Sequence, residues 1–108
     1  MESKNSRIVV NRGIDVSIVT IVDEEILEEV AIKDIEREIA AVMADGDRPN
    51  LLMDFSNVKF MASAFLGLLV KIHKRVVENG GTLKITNLDP NLYRVFQITR
   101  LDKVFDIS

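Results

Sequence analysis

The chain has no cysteine, a single histidine and no long apolar run. Without cysteine there can be no disulfide, thiolate metal site or cysteine nucleophile. His73 has no second histidine with which to form a metal pair. A membrane-spanning helix needs roughly 18 to 20 consecutive apolar residues, and no segment approaches that. The opening MESKNSR is polar with nothing apolar behind it, so no signal peptide is expected and the cytoplasm is the default. Basic side chains number 14 against 17 acidic ones, for a net charge of -3, and they are scattered rather than striped. Nucleic acid as a direct partner normally requires a basic face, so that class is disfavoured. A glycine-rich phosphate loop is also missing. Gly80-Gly81 precedes a strand pattern, whereas such a loop follows a strand and opens a helix.

What is present suits one globular domain. With 108 residues the chain can build one core but not two. Its 47% apolar and 29% charged content is that of an ordinary soluble protein. Residues 1–7 are polar and expected to be frayed, leaving 8–108 as the domain. Ile8-Val9-Val10 and residues 16–22 (VSIVTIV) are β-branched runs separated by the turn residues Asn11-Arg12-Gly13, which predicts an antiparallel hairpin. Residues 23–29 (DEEILEE) read as a solvated acidic loop whose carboxylates favour the start of the next helix. Ile32, Ile35, Ile39, Val42 and Met43 then recur at helical spacing, and Asp45-Gly46-Asp47-Arg48-Pro49 carries stop signals.

The rest of the chain is organised around residues 51–81. Leu51-Leu52-Met53 is continuously apolar, as expected of a central strand covered on both faces. A turn follows, then a long helical pattern from Ser63 to the glycine stop at Gly80-Gly81, one glycine of which is expected to be left-handed. Residues 82–86 (TLKIT) alternate as a strand does. Asp89-Pro90 places a cap and a first-turn proline before a third helix. Leu101, Val104 and Phe105 belong to a last short strand or turn. The order β-β-α-β-α-β-α predicts an α/β fold: a small mixed, mostly parallel sheet of four to five strands with right-handed crossovers, flanked by helices.

No base–nucleophile or metal set is visible, so an enzyme is not expected and no cofactor is implied. Ser63 stands at the head of the long helix. One reading makes it the N-cap, its hydroxyl accepting a free amide hydrogen of the first turn. The other makes it a modification site, since a phosphate there meets unpaired N–H groups and the positive end of the helix dipole. His73 lies near the apolar side of the same helix and reads as a packing residue. Ten helical residues, about 15 Å, separate it from Ser63, too far for a catalytic pair. Asp54 ends a strand at the edge where α/β proteins place ligands, and its alternative role is to order the following turn.

The run DFSNVKFMASAFLGLLVKIHKRVVENGGTLKITNLDPNLYRVFQITRLDKVF resembles the STAS domain of bacterial anti-sigma factor antagonists. The resemblance covers residues 16–107. It rests on an Asp-x-Ser turn after a central strand, Leu-Gly-Leu-Leu early in the helix, Gly-Gly before a strand, and a closing Phe-x-Ile-Thr-x-Leu-Asp. It implies a STAS fold and a binding role in partner switching. In that family an Asp-Ser-Ser-Gly sequence heads the long helix. An anti-sigma factor with serine kinase activity phosphorylates its first serine, and phosphorylation releases the antagonist from the kinase. Here the four positions read Ala62-Ser63-Ala64-Phe65, so one serine remains, the carboxylate is gone and a ring replaces glycine.

The resemblance therefore implies an anti-sigma factor/serine kinase as partner and Ser63 as the candidate phosphoserine, with a homo-oligomer possible but not required. Ala62, Ser63, Ala64 and Phe65 are the expected contact residues, together with Glu24 and Glu25 of the acidic segment. Phe65, if exposed, would be the apolar anchor. Two alternatives stand beside this: a STAS adaptor without phosphate control, and a small-molecule sensor using the crevice near Asp54.

Overall fold

A computed structural model describes residues 6–44 and 49–108. Strands β1 (Ile8–Arg12) and β2 (Ser17–Ile21) form the expected hairpin, with Ile8 opposite Ile21 and Arg12 opposite Ser17. The Gly13 N–H donates to the Val16 carbonyl at 2.9 Å. A Cβ on Gly13 would stand 2.7 Å from that oxygen, so the turn has no room for a side chain. Then come β3 (Glu25–Ile26), helix α1 (Glu29–Ala44), β4 (Asn50–Asp54), β5 (Phe60–Met61), helix α2 (Ser63–Glu78), β6 (Thr82–Thr86), helix α3 (Pro90–Ile98), a 3-10 turn (Leu101–Lys103) and β7 (Asp106–Ile107). The stop residues 45–48 lie outside the described residues. So do residues 1–5 of the expected frayed stretch, while Ser6 and Arg7 are bonded to Glu38 of α1.

The main sheet has the order β1-β2-β4-β6-β7, with β1 antiparallel and the other neighbours parallel. Val10, Val19, Met53, Ile85 and Ile107 lie in one row across it. With the buried Ile8, Ile21, Leu51 and Leu83 they make the apolar floor under Ile35 and Ile39 of α1, Leu69, Ile72 and Val76 of α2, and Phe96 of α3. The next row, Asn11-Ile18-Leu52-Lys84-Asp106, points the other way because strand side chains alternate.

That second face corrects one expectation. β4 is not covered on both sides, and Leu52 is only half-buried. The chain steps β2, β4, β6, β7 in one direction across the sheet, so right-handed crossovers put successive helices on the same face.

Local signals behave as their chemistry requires. The Asp89 carboxylate accepts the Asn91 N–H at 2.8 Å, with Pro90 opening α3. Gly80 has φ 78°, the left-handed value that closes α2. Gly81 is needed for another reason: a Cβ there would come within 2.1 Å of the Pro49 carbonyl oxygen.

Candidate functional site

The acidic segment 23–29 is more than a loop. Glu25 and Ile26 form β3, which pairs in parallel with β5, Glu25 opposite Phe60 and Ile26 opposite Met61. The Glu24 carbonyl accepts the N–H groups of Lys59 (2.7 Å) and Phe60 (3.1 Å), and the Ile26 carbonyl accepts that of Ala62 (2.9 Å). Ile26 is fully buried while Glu25 is exposed, so a single core side chain anchors the ribbon and leaves its glutamates in water. A two-residue strand carries no periodicity, which is why the sequence pattern misses it.

Arg7 fixes the ribbon's start. Its guanidinium donates to Asp34 of α1 at 3.2 Å and to Asp23 at 2.5 Å, and its backbone N–H donates to the Glu38 carboxylate at 3.0 Å. The bond to Asp34 raises the Arg7 pKa above its ordinary value; burial opposes this and Asp23 adds to it.

The ribbon delivers the chain to the head of α2, where two expectations change. Ala62, not Ser63, is the N-cap residue, and it has no side-chain oxygen to offer. Ser63 is the first helical residue, exposed, and its hydroxyl makes no hydrogen bond to the described residues. Phe65 is not an exposed anchor. It is fully buried, with its ring 6.3 Å from that of Phe55 at an interplanar angle of 60°. Helical rotation turns the residue two places after Ser63 into the core. The exposed ring belongs to Phe60, at 58% exposure, and Leu27 and Val30 of the neighbouring segment are also exposed. The structure thus joins Ala62, and with it the head of α2 carrying Ser63 and Ala64, to the ribbon that holds Glu24 and Glu25, and it withdraws Phe65 from the surface.

A groove of about 440 Å³ runs from this turn between α1 and α2. Leu27, Ile32, Ala62, Ala64, Gly67 and Leu68 line it. Its rim carries charge: Lys71 reaches Glu36 at 2.7 Å, linking the two helices, and Lys33 lies 3.9 Å from Glu29. Glu24, Glu25 and Glu28 form no ion pair among the described residues.

The two remaining sequence candidates have structural work. His73 is half-buried and meets Phe105 edge-on at 5.3 Å between ring centroids. The Asp54 carboxylate accepts the Ser56 N–H at 2.9 Å and the Asn87 amide at 3.0 Å, ordering the turn after β4. Burial raises its pKa, but the bonds from Asn87, Ser56 and Thr20 outweigh that and hold it below the ordinary value. Asn87 adopts φ 61°, a left-handed conformation that asparagine tolerates. Among the described residues no polar or charged side chain is buried and no helix is long and apolar enough to cross a membrane.

The order of elements and the strand order define an α/β architecture with a mixed five-stranded sheet, three helices and a short ribbon at the head of α2. The sequence matches the STAS domain family over residues 7–108, and the chain belongs to that family. An anti-sigma-B factor antagonist of Bacillus subtilis is 41% identical over 59 residues, which are 55% of this chain and 54% of that protein. The chain thus matches about half the length of this curated relative. An anti-sigma factor antagonist from Mycobacterium paratuberculosis is 30% identical in structural alignment, with a TM-score of 0.78 over 93% of this chain and 82% of that one. A STAS domain protein from Planctomyces limnophilus aligns with a TM-score of 0.82 at 26% identity, over 93% of this chain and 87% of that one.

Proposed function

We propose that the protein is an anti-sigma factor antagonist that binds an anti-sigma factor with serine kinase activity in the cytoplasm of a bacterium. The observation that carries this reading is the exposed Ser63 hydroxyl at the first position of α2, unbonded among the described residues and flanked by Ala62 and Ala64, which line an apolar groove. A docking surface of this kind works without chemistry. Binding buries the apolar groove lining, and a phosphate of about -1.5 to -2 charges at Ser63 would have to be desolvated for the partner to stay. Phosphorylation therefore releases the partner, while the domain itself tolerates the charge because the free N–H groups of the first turn face it.

Two observations favour a second reading. Ala62 supplies no carboxylate to orient the hydroxyl, and Glu24, Glu25 and Glu28 of the adjoining segment form no ion pair among the described residues. Both features suit an adaptor that binds the same partner without phosphate control. The two are separated by the intact mass of the protein after incubation with the host's anti-sigma-type serine kinase and ATP, repeated with Ser63→Ala. Gain of one phosphate in the wild type alone supports the switch. A kinase that binds but adds no phosphate supports the adaptor, and a host kinase set that neither binds nor modifies the protein refutes both.

A further inference from the structure

Gly67 is the least explained residue of α2. A glycine inside a helix is less favourable than alanine. Such glycines are normally kept for a tight approach or an unusual backbone angle. Here a Cβ would meet nothing within 4 Å and φ is not left-handed. Among the described residues nothing needs the space. It lies one helical turn after Ser63 on the same face, in the lining of the groove, where its missing side chain deepens the floor between Ala64 and Leu68.

The surroundings say what chemistry would use that space. The walls between the charged rim residues are apolar; the exposed Leu27 lines the groove, and the exposed Phe60 stands on the adjoining ribbon, opposite Glu25. Of the charges around it, Lys33 and Lys71 are already matched by Glu29 and Glu36. Glu24, Glu25 and Glu28 form no ion pair among the described residues, and Arg7, which lines a cleft with Glu25 and Glu28, is already bonded to Asp23 and Asp34, so the ribbon beside the groove carries surplus negative charge.

We propose that the groove over Gly67 and the Phe60–Leu27 ridge seat a partner-protein segment with an apolar side chain flanked by lysine or arginine. The apolar side chain fills the space over Gly67 and packs on Phe60, and the flanking cations face Glu24, Glu25 and Glu28. This rests on the partner-binding reading above and specifies the partner's recognition chemistry. It also gives Phe60 the anchoring role.

Three variants test it against the host's anti-sigma-type kinase: Gly67→Leu, Phe60→Ser and the double change Glu24→Lys/Glu25→Lys. All three sites are exposed, and each variant should keep the wild-type melting temperature within a few degrees. Gly67→Leu and Phe60→Ser should each weaken binding about 10-fold or more. The charge reversal should slow association and flatten its salt dependence. Wild-type binding that all three variants retain overturns the inference and leaves the partner-switching reading standing.

If no host kinase binds, that reading fails, and a partner-independent titration decides the inference. Amide shifts of the labelled protein are followed with a short peptide of central leucines flanked by arginines, and with its glutamate-flanked counterpart. Shifts at Leu27, Phe60 and Gly67 with the basic peptide alone, lost in Gly67→Leu, support the seat. Equal responses to both peptides, or none at millimolar concentration, overturn it.

Discussion

Replacing Phe65 by alanine separates a core role from a surface role. The ring is fully buried against Phe55, at the start of the helix that covers β4 and β6. Removing it forfeits about 1.5–3 kcal/mol of transfer free energy and leaves a cavity that raises the total to about 3–5 kcal/mol. A domain of this size is stable by about 5–15 kcal/mol, so the loss takes a large part of the whole. At about 4–8 °C per kcal/mol, the melting temperature should fall by roughly 12 °C or more. The assay is urea unfolding followed by circular dichroism, with Phe60→Ala as the internal control. Phe60 is more than half exposed, and its truncation should move stability by less than about 1 kcal/mol. A Phe65→Ala protein less than 1 kcal/mol weaker than wild type, or a Phe60→Ala protein that is the weaker of the two, would refute the assignment of these rings.

Ser63→Ala should shift stability by no more than about 0.5 kcal/mol, since Ser63 caps nothing, whereas Asp89→Ala should cost about 1 kcal/mol through loss of the α3 cap. Equal losses in thermal melts would contradict this. Gly81→Ala should cost more than about 2 kcal/mol or lower the soluble yield, because its Cβ cannot share space with the Pro49 carbonyl. Asp54 makes a pH prediction. Its folded pKa is depressed, so its contribution is present above the unfolded value near 3.9 and is lost as pH falls through the folded value. Wild type should therefore lose more stability than Asp54→Asn between about pH 5 and pH 2 in urea titrations, and parallel curves would reject the bond network assigned to Asp54.

The main elements were legible because each rests on a short-range signal. The β-branched runs around Asn11-Arg12-Gly13 made a hairpin, the spacing of Ile35 and Ile39 made α1, and Asp89-Pro90 capped α3 as written. Ser63 could be placed at the helix head within one residue, since composition cannot say which of Ala62 and Ser63 takes the non-helical cap angles.

Which side chains around the helix head are exposed was not legible in the same way. Phe60 and Phe65 are both aromatic residues flanking one turn, and nothing local tells them apart. Helical rotation and the β3–β5 pairing, which joins residues some 35 positions apart, turn one ring into the core and leave the other in water. The same holds for the sheet. Leu51-Leu52-Met53 reads as doubly buried, but the common direction of the crossovers leaves one face uncovered. Local propensity and periodicity are properties of neighbouring residues and survive in the sequence. Which side chains meet solvent is a property of strands brought together from distant positions, and only the tertiary structure decides it.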